Sequence, residues 1–142
     1  MRLIFLVALI VMCFARSAMA EPAVTRALNE LRATAGQAPA TFSAQLAEAA
    51  ARHAEDMLQA RIFSHTGSDG STVADRVSAT GYGWCYVAEN IAQGQPDLSE
   101  VMEAWAGSPA HRRNMLSPDV TEFALVAGRG AIWVMVLARP GC

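Results

Sequence analysis

The chain has 142 residues, of which 53% are apolar. Its 11 basic residues are all arginine, and together with 13 acidic residues they give a net charge of −2. This length suits one domain, the apolar content excludes a disordered chain, and the lack of a basic excess argues against nucleic acid as a partner. Because there is no lysine, a Walker phosphate loop and a lysine nucleophile are excluded as well.

The first twenty residues have the pattern of a secretory signal peptide. A basic start precedes an apolar stretch over residues 3–14, and Ala18 and Ala20 have the small-x-small spacing of a cleavage site. The stretch is too short for a comfortable membrane span, although a retained anchor is the alternative. We expect cleavage after Ala20 and a single domain over residues 21–142, secreted or periplasmic and not integral to a membrane.

Two amphipathic helices are predicted next. Apolar residues recur at helical spacing over residues 24–31, and Gly36 with Pro39 ends that helix. Ser43 suits the N-cap of the second helix, whose apolar face includes His53. On such a face we expect His53 to be a core histidine and not a ligand.

Short elements follow a loop. Ser71 or Thr72 suits the cap of a short helix, and residues 84–92 are predicted to form a strand or an extended segment. Two further helices are predicted to begin near Asp97 and at Pro109, because serine or aspartate followed by a helical apolar pattern is typical of a helix start.

The last part of the chain predicts a β-hairpin. Residues 123–127 and 131–138 are expected to be strands joined by a tight turn at residues 128–130. Residues 132–137 are continuously apolar, which is typical of a strand buried on both faces. Since such a sheet needs helices on both sides, the sequence predicts an α+β fold, a three-layer α-β-α sandwich. We expect all three tryptophans in its core: Trp84, Trp105 and Trp133.

Cysteine counting predicts one disulfide. Cys13 leaves with the signal peptide, so Cys85 and Cys142 remain in an oxidising compartment. An even number there favours a bond between them, with two free thiols as the alternative. The bond would tie the chain terminus to the middle of the domain and leave no cysteine nucleophile.

Three residues are candidates for a functional site. His65 lies in a loop, Glu89 lies within an apolar segment where a carboxylate needs a partner, and His111 follows Ser108 on a short helix. Imidazoles and a carboxylate from separate segments can form an open divalent-metal site or, equally, a hydrogen-bonded polar network. The sequence contains no HExxH motif, CxxC pair or serine elbow.

Several motifs follow one another in a set order over residues 24–137. They are Phe63-Ser64-His65-Thr66, Asp69-Gly70-Ser71, Arg76, Gly81-Tyr82, Ala88-Glu89-Asn90-Ile91-Ala92 and Trp105-x-x-Ser108-Pro109-x-His111-Arg112-x-Asn114-Met115-Leu116. Together they resemble the CAP superfamily in its bacterial form, the SCP/PR-1-like domain of cysteine-rich secretory proteins, antigen 5 and pathogenesis-related proteins. The resemblance implies the same three-layer sandwich.

The resemblance also implies a central cavity. Family members with the full set place two histidines and two glutamates there, and some of them bind zinc or another divalent cation. His65 and Glu89 match one histidine and one glutamate, and His111 is expected to take the place of the second histidine. No acid stands where the second glutamate would be, so the three residues imply at most weak cation binding.

Other polar residues are expected around this cavity. Tyr82 and Ser108 are predicted to line it, as is Asn90, although we expect Asn90 mainly to satisfy backbone groups. Arg76 and Arg112 are expected to hold acids or backbone carbonyls and not a substrate.

Three functions are compatible with these residues. The first is a secreted, monomeric binding module that accepts a cation, a small ligand, a lipid, a glycan or a peptide. The second is a peptidase-like metal-dependent hydrolase in which Glu89 is the general base. The third is a structural cell-envelope protein whose polar cluster only stabilises the fold. The small ligand set and the lack of an activated nucleophile favour the first, so we assign no catalytic residue.

Overall fold

A computed structural model describes residues 20–142, so the predicted signal peptide lies outside the described residues, apart from Ala20. Within these residues no helix is both long enough and apolar enough to cross a membrane. The elements in chain order are α1 (Ala20–Thr34), β1 (Thr41–Phe42), α2 (Ala44–Ala60), α3 (Val73–Ser78), β2 (Trp84–Gln93), α4 (Leu98–Gly107), α5 (Pro109–Met115), β3 (Glu122–Gly128), a 3-10 turn (Arg129–Ala131) and β4 (Ile132–Pro140).

Local capping signals explain where the helices begin. The backbone N–H of Leu46 donates to the Ser43 hydroxyl, as expected for the N-cap of α2. Of the two candidates for the cap of α3, the structure uses Thr72, whose side chain forms a reciprocal capping box with Asp75.

The sheet has four strands in the order β1-β3-β4-β2. β1 pairs with β3 in parallel, whereas β4 is antiparallel to both of its neighbours. All residues from 132 to 138 are buried, because one face of the sheet packs on α1, α4 and α5 and the other on α2 and α3. The predicted three-layer α-β-α sandwich is therefore confirmed.

Three local details differ from the expectations. β1 was not predicted, because a two-residue strand is too short to show a periodicity and pairs with a strand some 80 residues away. The hairpin turn is a 3-10 turn over Arg129–Ala131, with φ of 73° at Gly130 and 52° at Ala131. The core prediction for Trp84 was wrong: it is 38% exposed at the start of β2, and its indole N–H donates to the Ser78 hydroxyl.

The edge strand β2 has its outward backbone covered by side chains. The indole N–H of Trp105 donates to the Ile91 carbonyl, and the Asn114 amide donates to the Glu89 carbonyl. The two carbonyls are two residues apart, so they lie on the same side of the strand. Capping them removes acceptors that another strand could use, which protects the edge from pairing with a second chain.

Arg32 is a buried cation at the end of α1, with 1% of its surface exposed. Its Nε donates to the Ala38 carbonyl, Nη1 to the carbonyls of Met115 and Ser117, and Nη2 to that of Val120, at 2.7–3.1 Å. Among the described residues no carboxylate pairs with it. The guanidinium therefore satisfies the carbonyls of the last residue of α5 and of the segment after it, and joins them to α1.

The disulfide between Cys85 and Cys142 is present, with the two Cα atoms 5.0 Å apart. It joins β2 to the segment that follows β4, across 57 residues of sequence. The chain end is thereby tied to the middle of the domain, as the cysteine count predicted.

Replacing Cys85 with serine should lower the free energy of unfolding by about 4 kcal/mol, because the open chain gains entropy in the unfolded state. Urea unfolding of the oxidised protein measures the difference. Cys142→Ser should have the same effect, and a reducing agent should then change neither variant. A loss below about 1 kcal/mol in both variants would show that the bond adds little to stability.

Candidate functional site

Glu89 is the centre of a buried polar cluster, with only 2% of its side chain exposed. Its Oε1 accepts a hydrogen bond from His65 Nδ1 at 2.8 Å, and its Oε2 accepts one from Arg76 Nη2 at 2.8 Å. His53 Nε2 lies 3.8 Å from Oε1. Strand alternation explains the placement, because Glu89 is opposite Val136 in the register and so points toward α2 and α3. The carboxylate is buried with its charge paired.

The contact with Glu89 decides the tautomer of His65. An ionised carboxylate only accepts hydrogen bonds, so His65 Nδ1 carries a proton, and in the neutral form of the ring the lone pair is then on Nε2. The side chain of His65 is 59% exposed. The imidazole therefore presents an oriented, accessible lone pair.

Arg76 connects this cluster to the loop before α3. Besides Glu89, its guanidinium donates to the carbonyls of Ser71 and His65, at 2.9 and 3.0 Å. The expectation that Arg76 holds an acid and backbone carbonyls is confirmed. Its contacts keep the loop that carries His65 against the edge of the sheet.

His53 lies on α2 with no exposed side-chain surface, so the prediction of a core histidine is confirmed. Its Nε2 lies 2.8 Å from the Ser64 carbonyl and therefore carries the proton. Burial lowers the pKa of His53, which keeps the ring neutral at physiological pH. Its contact with the Glu89 cluster was missed, because an apolar helix face alone does not show which buried polar group it meets.

His111 and Ser108 meet at the start of α5. Ser108 is the N-cap residue, but its hydroxyl makes no bond to the backbone and lies 2.8 Å from His111 Nδ1 instead. The His111 ring packs against Trp105, with the ring centroids 6.4 Å apart. Burial lowers the pKa of His111, and the positive charge that His65 carries when it is protonated lowers it further. The two imidazoles are thus coupled electrostatically, although they share no hydrogen bond.

Asn90 points to the opposite face of the sheet from Glu89, because neighbouring strand residues alternate. Its amide donates to the His111 carbonyl at 3.1 Å and its carbonyl accepts from the Asn114 amide at 2.9 Å. The expected role of Asn90 in satisfying a backbone group is therefore confirmed. Tyr82 packs in the core layer under α2, where burial and the neighbouring Glu122 carboxylate raise its pKa.

His65 is thus hydrogen-bonded to Glu89. His111 is hydrogen-bonded to Ser108 through its ring and to Asn90 through its backbone carbonyl, and a charge on His65 lowers its pKa. In residues 20–142 no group of three or more histidine, cysteine, aspartate or glutamate side chains is spaced to hold a metal ion. The assignment of these residues to a cation site stays a prediction.

Comparison with protein families gives a match over residues 25–136 to CAP, the cysteine-rich secretory protein family. Two proteins of Bacillus subtilis (strain 168) are similar in sequence. The chain is 30% identical to the uncharacterized protein YkwD over 80% of its own length and 44% of that protein. It is also 30% identical to the uncharacterized membrane protein YlbC, over 71% and 29% of the two lengths. The chain therefore spans less than half of these curated relatives.

Solved structures share the fold. An extracellular protein of Bacillus anthracis str. Ames that contains an SCP domain has a TM-score of 0.79 at 24% identity, covering 84% of this chain and 40% of that one. An outer surface protein of Borrelia burgdorferi has a TM-score of 0.75 at 20% identity, covering 84% of this chain and 92% of that one. At these identities the likeness establishes the fold alone.

Proposed function

The chain belongs to the CAP family of cysteine-rich secretory proteins, and we propose that it is a non-enzymatic binding module whose histidines, His65 and His111, take a divalent cation or a small ligand. The observation that carries the proposal is the hydrogen bond from His65 Nδ1 to Glu89, which leaves Nε2 of an exposed imidazole free. Metal-binding histidines characteristically donate their second N–H to a carboxylate in this way, because it orients the ring and raises its basicity.

His111, on α5, is the second imidazole that supports the proposal. Its Nδ1 is engaged with the Ser108 hydroxyl, so its Nε2 is the nitrogen left for a ligand. The lowered pKa of His111 favours the neutral ring, which is the form that binds metal. Two imidazoles fit Zn²⁺ better than Ca²⁺ or Mg²⁺, which prefer oxygen ligands. Because so few protein ligands are present, we expect weak binding.

Glu89 has a positioning role in this proposal. Both of its oxygens already accept charge-assisted hydrogen bonds, from His65 and from Arg76. A general base needs an oxygen free to take a proton from water, and the Arg76 guanidinium beside Oε2 opposes that step by stabilising the charged carboxylate. This engagement favours binding over hydrolysis.

We also propose that the protein acts outside the cytoplasm. The N-terminal signal pattern and the disulfide both support an oxidising, exported environment. The extracellular and outer-surface proteins that share the fold are in keeping with it. The natural ligand then belongs to the small molecules, lipids, glycans or peptides of that environment.

Zinc should raise the melting temperature of the purified protein at pH 7.5, because a ligand that binds only the native state stabilises that state. At a zinc concentration a hundredfold above Kd, the free energy of unfolding should rise by about 2–3 kcal/mol. The gain should shrink as the pH falls through the histidine range, since protons compete for the same nitrogens. Scanning calorimetry of the native protein, His65→Ala and His111→Ala measures it.

Both histidine variants should lose the stabilisation, whereas Glu103→Gln, a change on the exposed surface of α4, should keep it. A zinc effect that survives both histidine replacements would contradict the proposed site. Metal-dependent cleavage of a peptide or an ester that disappears in Glu89→Gln would instead favour the hydrolase.

A further inference from the structure

One edge of the sheet has no partner strand over part of its length. β1 pairs with β3 only through Thr41 and Phe42, and at Ser43 the chain leaves the sheet to begin α2. Within residues 20–142 the sheet has no other strand on this side, because its order is β1-β3-β4-β2. The outer edge of β3 is therefore open over residues 124–128.

The open edge presents backbone hydrogen-bonding groups. The Ser43 N–H donates to the Phe123 carbonyl at 2.9 Å, so Phe123 turns its backbone groups toward β1. Backbone groups two residues apart on a strand point the same way, so those of Leu125 and Ala127 point to this edge as well. In the described part of the chain neither residue has a backbone partner on this side. Two donors and two acceptors at strand spacing are thus free to pair with an added strand.

β3 lacks the features that usually protect a sheet edge. Residues 123–127 include no charged residue and no proline, and β3 pairs with β4 in a regular register. On the opposite edge, by contrast, the side chains of Trp105 and Asn114 cap the carbonyls of β2. Pairing with a further strand is therefore hindered at β2 and left possible at β3.

A pocket of about 490 Å³ lies beside the open edge, between α2 and β3. Its walls include Phe42, Ala47, Ala51 and Val126. The Val126 side chain packs on the α2 face of the sheet. Residues directly opposite each other on neighbouring strands place their side chains on the same face. A residue paired opposite Val126 would therefore direct its side chain into this pocket.

The charges at the pocket are already balanced. Its two charged lining residues, Glu48 and Arg52, form an ion pair with each other on the surface of α2. The rest of the lining is apolar. A charged side chain would lose hydration there without gaining a free partner, so the pocket fits an uncharged apolar side chain.

We propose that β3 binds an extended peptide segment of another protein, which adds a strand beside residues 125–127 and inserts one apolar side chain next to Val126. The backbone hydrogen bonds provide affinity and the pocket selects the side chain. A second copy of this chain fits less well, because Ala124, on the same face of its β3, is fully buried under its own α2 and cannot enter the pocket. The surface is separate from His65 and His111, so the proposal does not depend on the cation site.

Fluorescence anisotropy with labelled heptapeptides tests the proposal on the purified protein. The peptides alternate threonine with valine, and their central residue is leucine, alanine or aspartate. We expect saturable binding of the leucine peptide and a Kd at least about fivefold higher for the other two, because neither fills an apolar pocket. N-methylation of the three central amides of the leucine peptide keeps its side chains but removes backbone donors, and should raise Kd at least about tenfold.

Two variants of the protein locate the binding surface. Ala127→Pro removes an outward N–H, a change that an edge strand tolerates, and should raise the Kd of the leucine peptide at least about fivefold. Ala51→Phe fills the pocket from α2 and should raise it at least about tenfold. Ala104→Phe, the same change on the exposed surface of α4, should leave it unchanged. Ala51 is only half-buried, so Ala51→Phe tests the proposal even if Ala127→Pro fails to fold.

Amide exchange measured by NMR identifies the edge directly. The leucine peptide should slow exchange at the N–H groups of Leu125 and Ala127, whereas those of Ala124 and Val126, which face β4, should not change. The proposal is wrong if the leucine peptide does not saturate the native protein, if its N-methylated form binds as tightly, or if Ala51→Phe and Ala104→Phe bind it alike. Dimerisation of the native protein that Ala127→Pro abolishes would assign the edge to a second copy and would also overturn it.

Discussion

Replacing Arg32 with methionine should lower the free energy of unfolding by about 4 kcal/mol or more, because the carbonyls it binds stay buried and lose their donor. Methionine fills part of the volume but donates nothing, and each buried acceptor left unpaired costs about 1–3 kcal/mol. The guanidinium donates to four carbonyls and is 1% exposed, so water cannot replace it without opening the structure. Urea unfolding followed by circular dichroism measures the loss.

Two variants separate this effect from a general effect of arginine loss. Arg26→Met changes an exposed residue of the same helix and should shift stability by less than about 0.5 kcal/mol. Arg32→Lys keeps the charge but offers one compact donor group in place of the planar fork, so it should restore less than half of the loss. If Arg32→Met remains within about 1 kcal/mol of the native protein, the carbonyl cluster does not depend on the guanidinium.

Replacing Glu89 with alanine should cost about 3–5 kcal/mol of stability, because it leaves the Arg76 guanidinium buried without its carboxylate. The Arg76 side chain is only 10% exposed and the Glu89 side chain 2%. In a double-mutant cycle, Glu89→Ala and Arg76→Ala should therefore couple strongly, since the second change removes the charge that the first leaves unpaired. Denaturant titration of the four proteins gives the coupling energy.

His65→Ala is the matched control for this prediction. It removes the exposed partner of the same carboxylate, and exposed ion pairs contribute little, so the loss should be below about 1 kcal/mol. Additive effects of Glu89→Ala and Arg76→Ala would show that their contact does not stabilise the fold. Zinc binding to Glu89→Ala should be weakened as well, because His65 loses the acceptor that orients its ring.

The order and type of most elements were predictable because their signals are local. The continuous apolar run over residues 132–137 requires cover on both faces, and that requirement alone implies the three layers. Ser43 and Pro109 mark helix starts through groups within one turn of the chain. The disulfide was predictable from the even count of cysteines that lie outside the predicted signal peptide. Each of these inferences needs only neighbours in sequence or a composition.

The candidate site was predictable as a set of residue types but not as an arrangement. Glu89 and Asn90 are adjacent in sequence, yet they face α2 and α5 from opposite sides of the sheet. The buried contact of His53 with Glu89 joins α2 to β2, and nothing in the pattern of either element selects the other. The fold decided which face each side chain occupies and which polar groups it meets there.

Arg32 shows even more clearly that a local sequence pattern does not reveal the tertiary partners of a side chain. Its position on an amphipathic helix predicted neither burial nor partners, because the Val120 carbonyl that it binds lies 88 residues away in sequence. Periodicity and capping depend on energies within a few residues, so the sequence by itself determined most of the elements and their layers. Partners for buried polar groups depend on which elements pack together, and the need to satisfy every desolvated donor and acceptor is met only in the tertiary structure.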